Sequence, residues 1–190
     1  MKINNTYKTL LNKKYDIDRA IYILEHNKSD IMDLSVDNFH NIMKNFSTQK
    51  RSPYYEKYLI ELFNMKKVLA TENRGDAIDN NGKYYEYKIS FKNEANKLNI
   101  RQIRLYQDID YYLCVYFGDK NEDRYVFILT KKEIQKEIEK QKNQYTHGVK
   151  DINKDNKYNE FSLTISLKSE LFKVWVNKYL NTELTKLVRA

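Results

Sequence analysis

The chain has 190 residues, 41% of them hydrophobic and 32% charged, with a formal net charge of +8. That length supports one domain with a real core. Its one cysteine, Cys114, excludes an internal disulfide and a cysteine-built zinc site, and no run approaches the ~20 apolar residues of a membrane span.

The N-terminus, Met1-Lys2-Ile3-Asn4-Asn5, lacks the apolar run of a signal peptide, so a cytoplasmic protein of bacterial type is expected. Residues 1–50 read as a helical N-terminal extension. Ile17, Ile21 and Leu24 repeat at helical spacing, and Ser35 is placed to cap a second helix carrying Phe39, Ile42 and Phe46. Ser52-Pro53 reads as N-cap and first position of a helix reaching about Val68. In that helix Glu56 falls on the inward stripe with Leu59, Ile60 and Phe63, with the edge of the stripe as the open alternative. A hairpin follows, then a polar stretch with Lys92 and Lys97 and a short helix predicted from Leu98 to Tyr106. Tyr111 to Phe117 and Arg124 to Leu129 read as strands, and Cys114 as a buried packing residue of the first. Thr130 and Glu133 form a capping box that opens a helix whose scattered charges suggest a solvated face. Residues 141–160 are polar and loop-like. Phe161 to Leu167 alternates like a strand, and Ser169 opens a final helix with Leu171, Val174, Trp175 and Tyr179, Trp175 serving as core or dimer contact. The fold class is α/β (α+β), one domain overall.

The chemistry concentrates between Gly75 and Lys88. Asp76 precedes a turn, and Glu86 and Lys88 lie on the returning strand. Turn length decides which acid joins them, because a one-residue slip turns every side chain to the other face. A two-residue Asn81-Gly82 loop pairs Asp79 with Tyr84. A three-residue Asn80-Asn81-Gly82 loop, with Gly82 left-handed, sets Asp76 opposite Glu86. The second register is expected, since it leaves Tyr85, Tyr87, Ile89 and Phe91 on one continuous apolar face. Two carboxylates make an oxygen-lined site suited to Mg²⁺, and a neighbouring lysine can orient a water or stabilise charge on a phosphoryl group. In a chain this basic, the fitting substrate is a phosphodiester; nucleic acid ranks ahead of an anionic membrane as the polyanionic partner. A structural hairpin with a cross-strand salt bridge is the simpler alternative.

Gly75-Asp76, the short hairpin and Glu86-Tyr87-Lys88 resemble the PD-(D/E)xK nuclease superfamily, with glycine in place of the usual proline. A helix before the Asp, carrying Glu56, and Gln102-Ile103-Arg104-Leu105-Tyr106, similar to a Gln-x-x-x-Tyr motif of some branches, extend the likeness over roughly Ser52 to Leu129. The whole chain looks most like a small type II restriction endonuclease. The resemblance implies a restriction-endonuclease-like mixed central sheet flanked by helices, with a nuclease core at 51–140 and residues 141–190 completing it and contributing DNA recognition.

It further implies Mg²⁺-dependent hydrolysis of double-stranded DNA at specific sequences, with Mn²⁺ as a substitute. The enzyme would be a homodimer, paired functionally with a cognate methyltransferase acting on the same DNA site, with no membrane role. Asp76, Glu86 and Lys88 would be catalytic, Asp76, Glu86 and Glu56 would hold the metal, and Gln102 and Tyr106 would support the site. Lys92, Lys97, Arg101 and Arg104 are placed to contact phosphates, joined by Lys50 and Arg51, and His147 in the loop Tyr145 to Lys150 to enter a groove. A Holliday-junction resolvase or repair nickase of the same fold, and a non-catalytic basic nucleic-acid-binding module, are the competing readings.

Overall fold

Tyr84 to Phe91 alternates by side, the period-two consequence of an extended backbone, and this strand organises the molecule. The computed structural model describes residues 34–69, 72, 74–142 and 159–190. The helix expected around Ile17, Ile21 and Leu24, and the loop with His147, lie outside these residues.

Five strands form one mixed sheet in the order β1 (Lys66–Lys67), β2 (Ala77–Ile78), β3 (Tyr84–Phe91), β5 (Tyr111–Phe117) and β6 (Arg124–Thr130). β3 and β5 are parallel, and the other pairs are antiparallel. β4 (Lys97–Arg104) and β7 (Glu160–Ser166) pair separately as an antiparallel ribbon. The fold is thus mixed α+β, with a mixed sheet flanked by helices. Among the described residues no helix is long and apolar enough to cross a membrane.

One face of the sheet presents Tyr85, Tyr87, Leu113, Val115, Phe117 and Val126. It packs against α1 (Val36–Met43), α2 (Thr48–Leu62) and α5 (Thr182–Arg189) through Phe39, Met43, Tyr55, Leu59 and Val188. The described part of the expected extension is therefore built into the core. Ser35 caps α1 by accepting from Asn38 N–H. His40, buried against Phe117, is pushed down to about 4 by desolvation and by the nearby Arg124, Arg51 and Lys44 charges, so it packs as a neutral ring. Arg124, 2% exposed, fastens three elements: it ion-pairs with Asp37 at 2.6 Å and donates to Val188 O at 3.0 Å from the first residue of β6.

The opposite face presents Tyr112, Cys114, Tyr116, Phe127 and Leu129 to the ribbon and to α3 (Lys131–Lys140) and α4 (Glu170–Tyr179). The parallel register sets Glu86 beside Tyr112, Lys88 beside Cys114 and Ser90 beside Tyr116. The polar half of β3 therefore lies under the ribbon.

Three sequence readings are corrected. Thr48 begins α2, behind Ser47, so Pro53 sits inside the helix, and α2 stops at Leu62 rather than continuing to Val68. Pro53 has no N–H for the Gln49 carbonyl, and the Ser52 hydroxyl bonds back to Thr48 O at 2.8 Å. The segment expected as a Leu98 to Tyr106 helix is strand β4, with a bulge between Ile100 and Ile103. The helix opened by Ser169 is not the last, since Asn181 caps α5. The solvated face expected of α3 is present, with Lys132, Gln135, Lys136, Glu139 and Lys140 exposed, while its other side is buried. Its Glu137 is buried and accepts from Trp175 Nε1 at 3.2 Å and Tyr179 OH at 3.1 Å, and Trp175 is core.

Candidate active site

The turn has the three-residue form. Ala77 pairs with Tyr85 and Ile78 with Tyr84, which leaves Asn80-Asn81-Gly82 as the loop, with Gly82 at φ +77°. Asp79 closes it, its carboxylate accepting from Asn81 and Lys83 N–H at 2.9 Å each, and so is used up in the turn.

Gly75 stands at a position that proline could not occupy. Its φ is +81°, a region proline cannot enter, and a Cβ there would come within 2.6 Å of Tyr85 O. This close approach locks Asp76 against β3. Its N–H donates to Tyr85 O at 2.8 Å, its carbonyl accepts from Val68 N–H at 3.0 Å, and its Oδ2 accepts from Tyr87 N–H at 2.8 Å. The other oxygen takes no hydrogen bond from the described residues.

Glu86 is 5% exposed. Its Oε1 receives the Lys88 ammonium at 2.8 Å and its Oε2 the Gln107 side-chain N–H at 3.1 Å. Lys88, two residues on, is on the same face, with its side chain 11% exposed. Burial, then the negative charges of Glu86 and Glu56, push the Asp76 carboxyl up to about 7, against the opposing pull of Tyr87 N–H and Lys88.

These groups line a cleft of about 640 Å³ with residues of α2, β3 and β4. Five basic side chains face it (Arg51, Lys88, Lys92, Arg101, Arg104) against three acids (Glu56, Asp76, Glu86). Ser90 draws the ribbon in by accepting from Asn99 N–H at 2.9 Å.

The remaining predicted residues divide. Glu56 reaches the cleft from the edge of the α2 stripe, not its buried centre, and is ion-paired to Lys67 at 3.2 Å. Gln102 lines the cleft from a strand, so the helical face it was expected to share with Tyr106 does not form; Tyr106 is half-buried and does not line the cleft. Arg104 lines it while ion-paired to Glu160 at 2.7 Å, and Lys92 while paired to Asp119. Lys97 and Lys50 are exposed outside it. Arg51 faces it, stacked 3.8 Å over Phe91. Sequence reading missed Gln107, which lies between β4 and β5 with no pattern to mark it. Its carbonyl accepts from Lys131 Nζ at 2.5 Å, and its Oε1 is buried without a partner among the described residues.

No protein-family model matches this chain, and no curated protein matches its sequence. Among the described residues, no three or more His, Cys, Asp and Glu side chains form a group that could hold a metal ion. Glu56 thus does not complete a three-acid cage with Asp76 and Glu86. Mg²⁺ seldom uses such cages; it is bound by one or two carboxylates together with waters and substrate phosphate. Asp76 has an open oxygen, and its pKa is raised by burial and then by repulsion from Glu86 and Glu56, which a divalent cation would relieve, so the residues fit the ion.

Proposed function

We propose that this chain is a Mg²⁺-dependent endonuclease of the type II restriction kind, hydrolysing phosphodiester bonds of double-stranded DNA at specific sequences. The observation that carries the reading is the convergence of Asp76, Glu86 and Lys88 in a cleft walled by basic side chains. Asp76 and Glu86 are the residues that would hold Mg²⁺, which when bound lowers the pKa of a water and polarises a phosphoryl oxygen. Glu86 keeps the Lys88 ammonium in place, where it orients the attacking water and stabilises charge gathering on the phosphoryl oxygens. The water oxygen bonds to phosphorus and releases its proton to solvent, while the bond to one bridging oxygen breaks and that oxygen takes a proton from solvent as it leaves. Arg51, Lys92 and Arg104 supply positive charge along the strand. A homodimer would cut both strands, and a methyltransferase acting on the same site would protect the host DNA.

The test is cleavage of mixed-sequence duplex DNA by wild type, Asp76→Asn and Lys88→Ala, with Mg²⁺ or with EDTA. Discrete fragments are expected from wild type with Mg²⁺ alone. Undiminished cutting by Asp76→Asn would remove the site assignment, and nicks confined to branched junctions would make the chain a resolvase.

A further inference from the structure

The bulge in β4 is the most unusual backbone feature beside the cleft. Ile100 pairs with Leu163 and Ile103 with Phe161, so Arg101 and Gln102 together oppose the single residue Ser162. Gln102 is held at φ +54°, a left-handed conformation that costs a non-glycine residue energy and collects at functional sites. In a regular strand one of two consecutive residues faces inward. Here both Arg101 and Gln102 are exposed, while Ile100 and Ile103 stay buried on either side. The extra residue therefore turns two long, hydrogen-bonding side chains to the same outer face, and both line the cleft that holds Asp76 and Glu86.

The outer face around them is polar, with Asn99 on β4 and Ser162 and Thr164 on β7. Two paired strands lie ~4.8 Å apart, and a B-DNA major groove about 12 Å wide admits such a ribbon. An arginine guanidinium matches guanine O6 and N7, and a glutamine carboxamide matches adenine N6 and N7. We infer that the β4 bulge is the sequence reader, with Arg101 on a guanine and Gln102 on an adenine close to the cut phosphate. This assigns Arg101 to a base edge rather than to phosphate, and it rests on the nuclease reading above.

The experiment selects binders from a pool of 20-base-pair duplexes randomised at their centre. It is run without Mg²⁺, and repeated for cutting with Mg²⁺. Wild type, Arg101→Ala, Gln102→Gly and Gln102→Asn are compared. Glycine and asparagine both accept the left-handed backbone, and Arg101 is exposed, so melting temperatures should match wild type. Wild type is expected to enrich a guanine and an adenine at fixed positions. Arg101→Ala should lose the guanine preference and Gln102→Gly the adenine preference, each by roughly tenfold to a hundredfold. Gln102→Asn, one methylene shorter, should weaken the adenine preference less than Gln102→Gly. Variants that select the same sequences as wild type, only with uniformly weaker binding, would make the bulge a phosphate contact and overturn this inference alone. Binding and cutting by wild type without any preference would overturn it together with the sequence-specific part of the nuclease reading, leaving a non-specific nuclease. A wild type that binds no duplex would overturn it together with the nuclease reading.

Discussion

Gln107 donates a side-chain hydrogen bond to Glu86 at 3.1 Å, both residues buried, and so fixes the carboxylate oxygen that Lys88 leaves open. A hydrogen bond to a charged group contributes about 1.5–3 kcal/mol. Gln107→Ala should therefore slow single-turnover cleavage by roughly tenfold to a hundredfold. Duplex affinity should hold, because Gln107 does not line the cleft. A loss of affinity with an unchanged cleavage rate would contradict this positioning role.

Lys88, part-buried, ion-pairs with the buried Glu86, and removing the lysine leaves the Glu86 charge unmatched. Lys88→Ala should abolish cutting, keep duplex binding and cost about 3–5 kcal/mol of stability in urea unfolding. The double variant Lys88→Met with Glu86→Gln should recover most of that stability and remain inactive.

Asp76 binds its proton more tightly folded than unfolded, because its folded pKa is raised to about 7. Its contribution to stability is fully present below the ordinary aspartate range and is lost as pH rises through about 7. Without metal, thermal melts should therefore weaken between pH 5 and pH 8 on the order of the Asp76 titration. Asp76→Asn should melt higher than wild type at the upper end. Mg²⁺ should raise the wild-type melting temperature more at pH 8 than at pH 6, since the proton must leave first, and should not raise that of Asp76→Asn.

Gly75 allows no substitute. Gly75→Ala forces a Cβ toward Tyr85 O and a left-handed alanine, and it should cost about 1–3 kcal/mol while displacing Asp76. Gly75→Pro, which would spell the superfamily's usual dipeptide, should be more damaging still. Cleavage rate and urea midpoint measure both.

Glu137 is 2% exposed, and burial alone would raise its pKa; hydrogen bonds from Lys140, Trp175 and Tyr179 outweigh this and hold it low. Its stabilisation is present above the usual glutamate range and is lost as pH falls through the lowered value. Glu137→Ala should cost on the order of 2–4 kcal/mol, leaving the Trp175 and Tyr179 donors unmatched. It should also flatten the acid limb of the stability profile in urea titrations below pH 5.

The hairpin was legible because turn geometry and strand alternation point the same way. Strand alternation puts Tyr85, Tyr87, Ile89 and Phe91 on one apolar face, and the three-residue loop then sets Asp76 rather than Asp79 on the opposite face with Glu86. The Ser35, Thr130 and Ser169 caps were legible for a similar reason, since each side chain bonds a nearby N–H in its own first turn. β4 was not legible. Its apolar residues Leu98, Ile100 and Ile103 are two and then three apart, because the bulge breaks the alternation, and the mixed spacing imitates a helix. Ser52-Pro53 misled because Thr48 to Arg51 extend the helix upstream without a hydrogen-bonded side-chain cap. Gln107 was invisible because its role depends on a partner twenty-one residues away that only the folded sheet brings near.

Parallel strands such as β3 and β5 need a long crossover, most often a helix. Here the crossover is residues 92–110, a bulged strand followed by the turn that carries Gln107. Its ends are anchored by Lys92 N–H to Phe117 O at 2.9 Å and Asp110 N–H to Tyr84 O at 3.0 Å. Asp76, Glu86 and Lys88 lie outside this segment, while Arg101, Gln102 and the residue that steadies Glu86 lie inside it. Within this connection the bulge, Arg101 and Gln102, is exposed, so its composition can vary while Leu98, Ile100, Ile103 and Gln107 keep the ribbon and Glu86 in place.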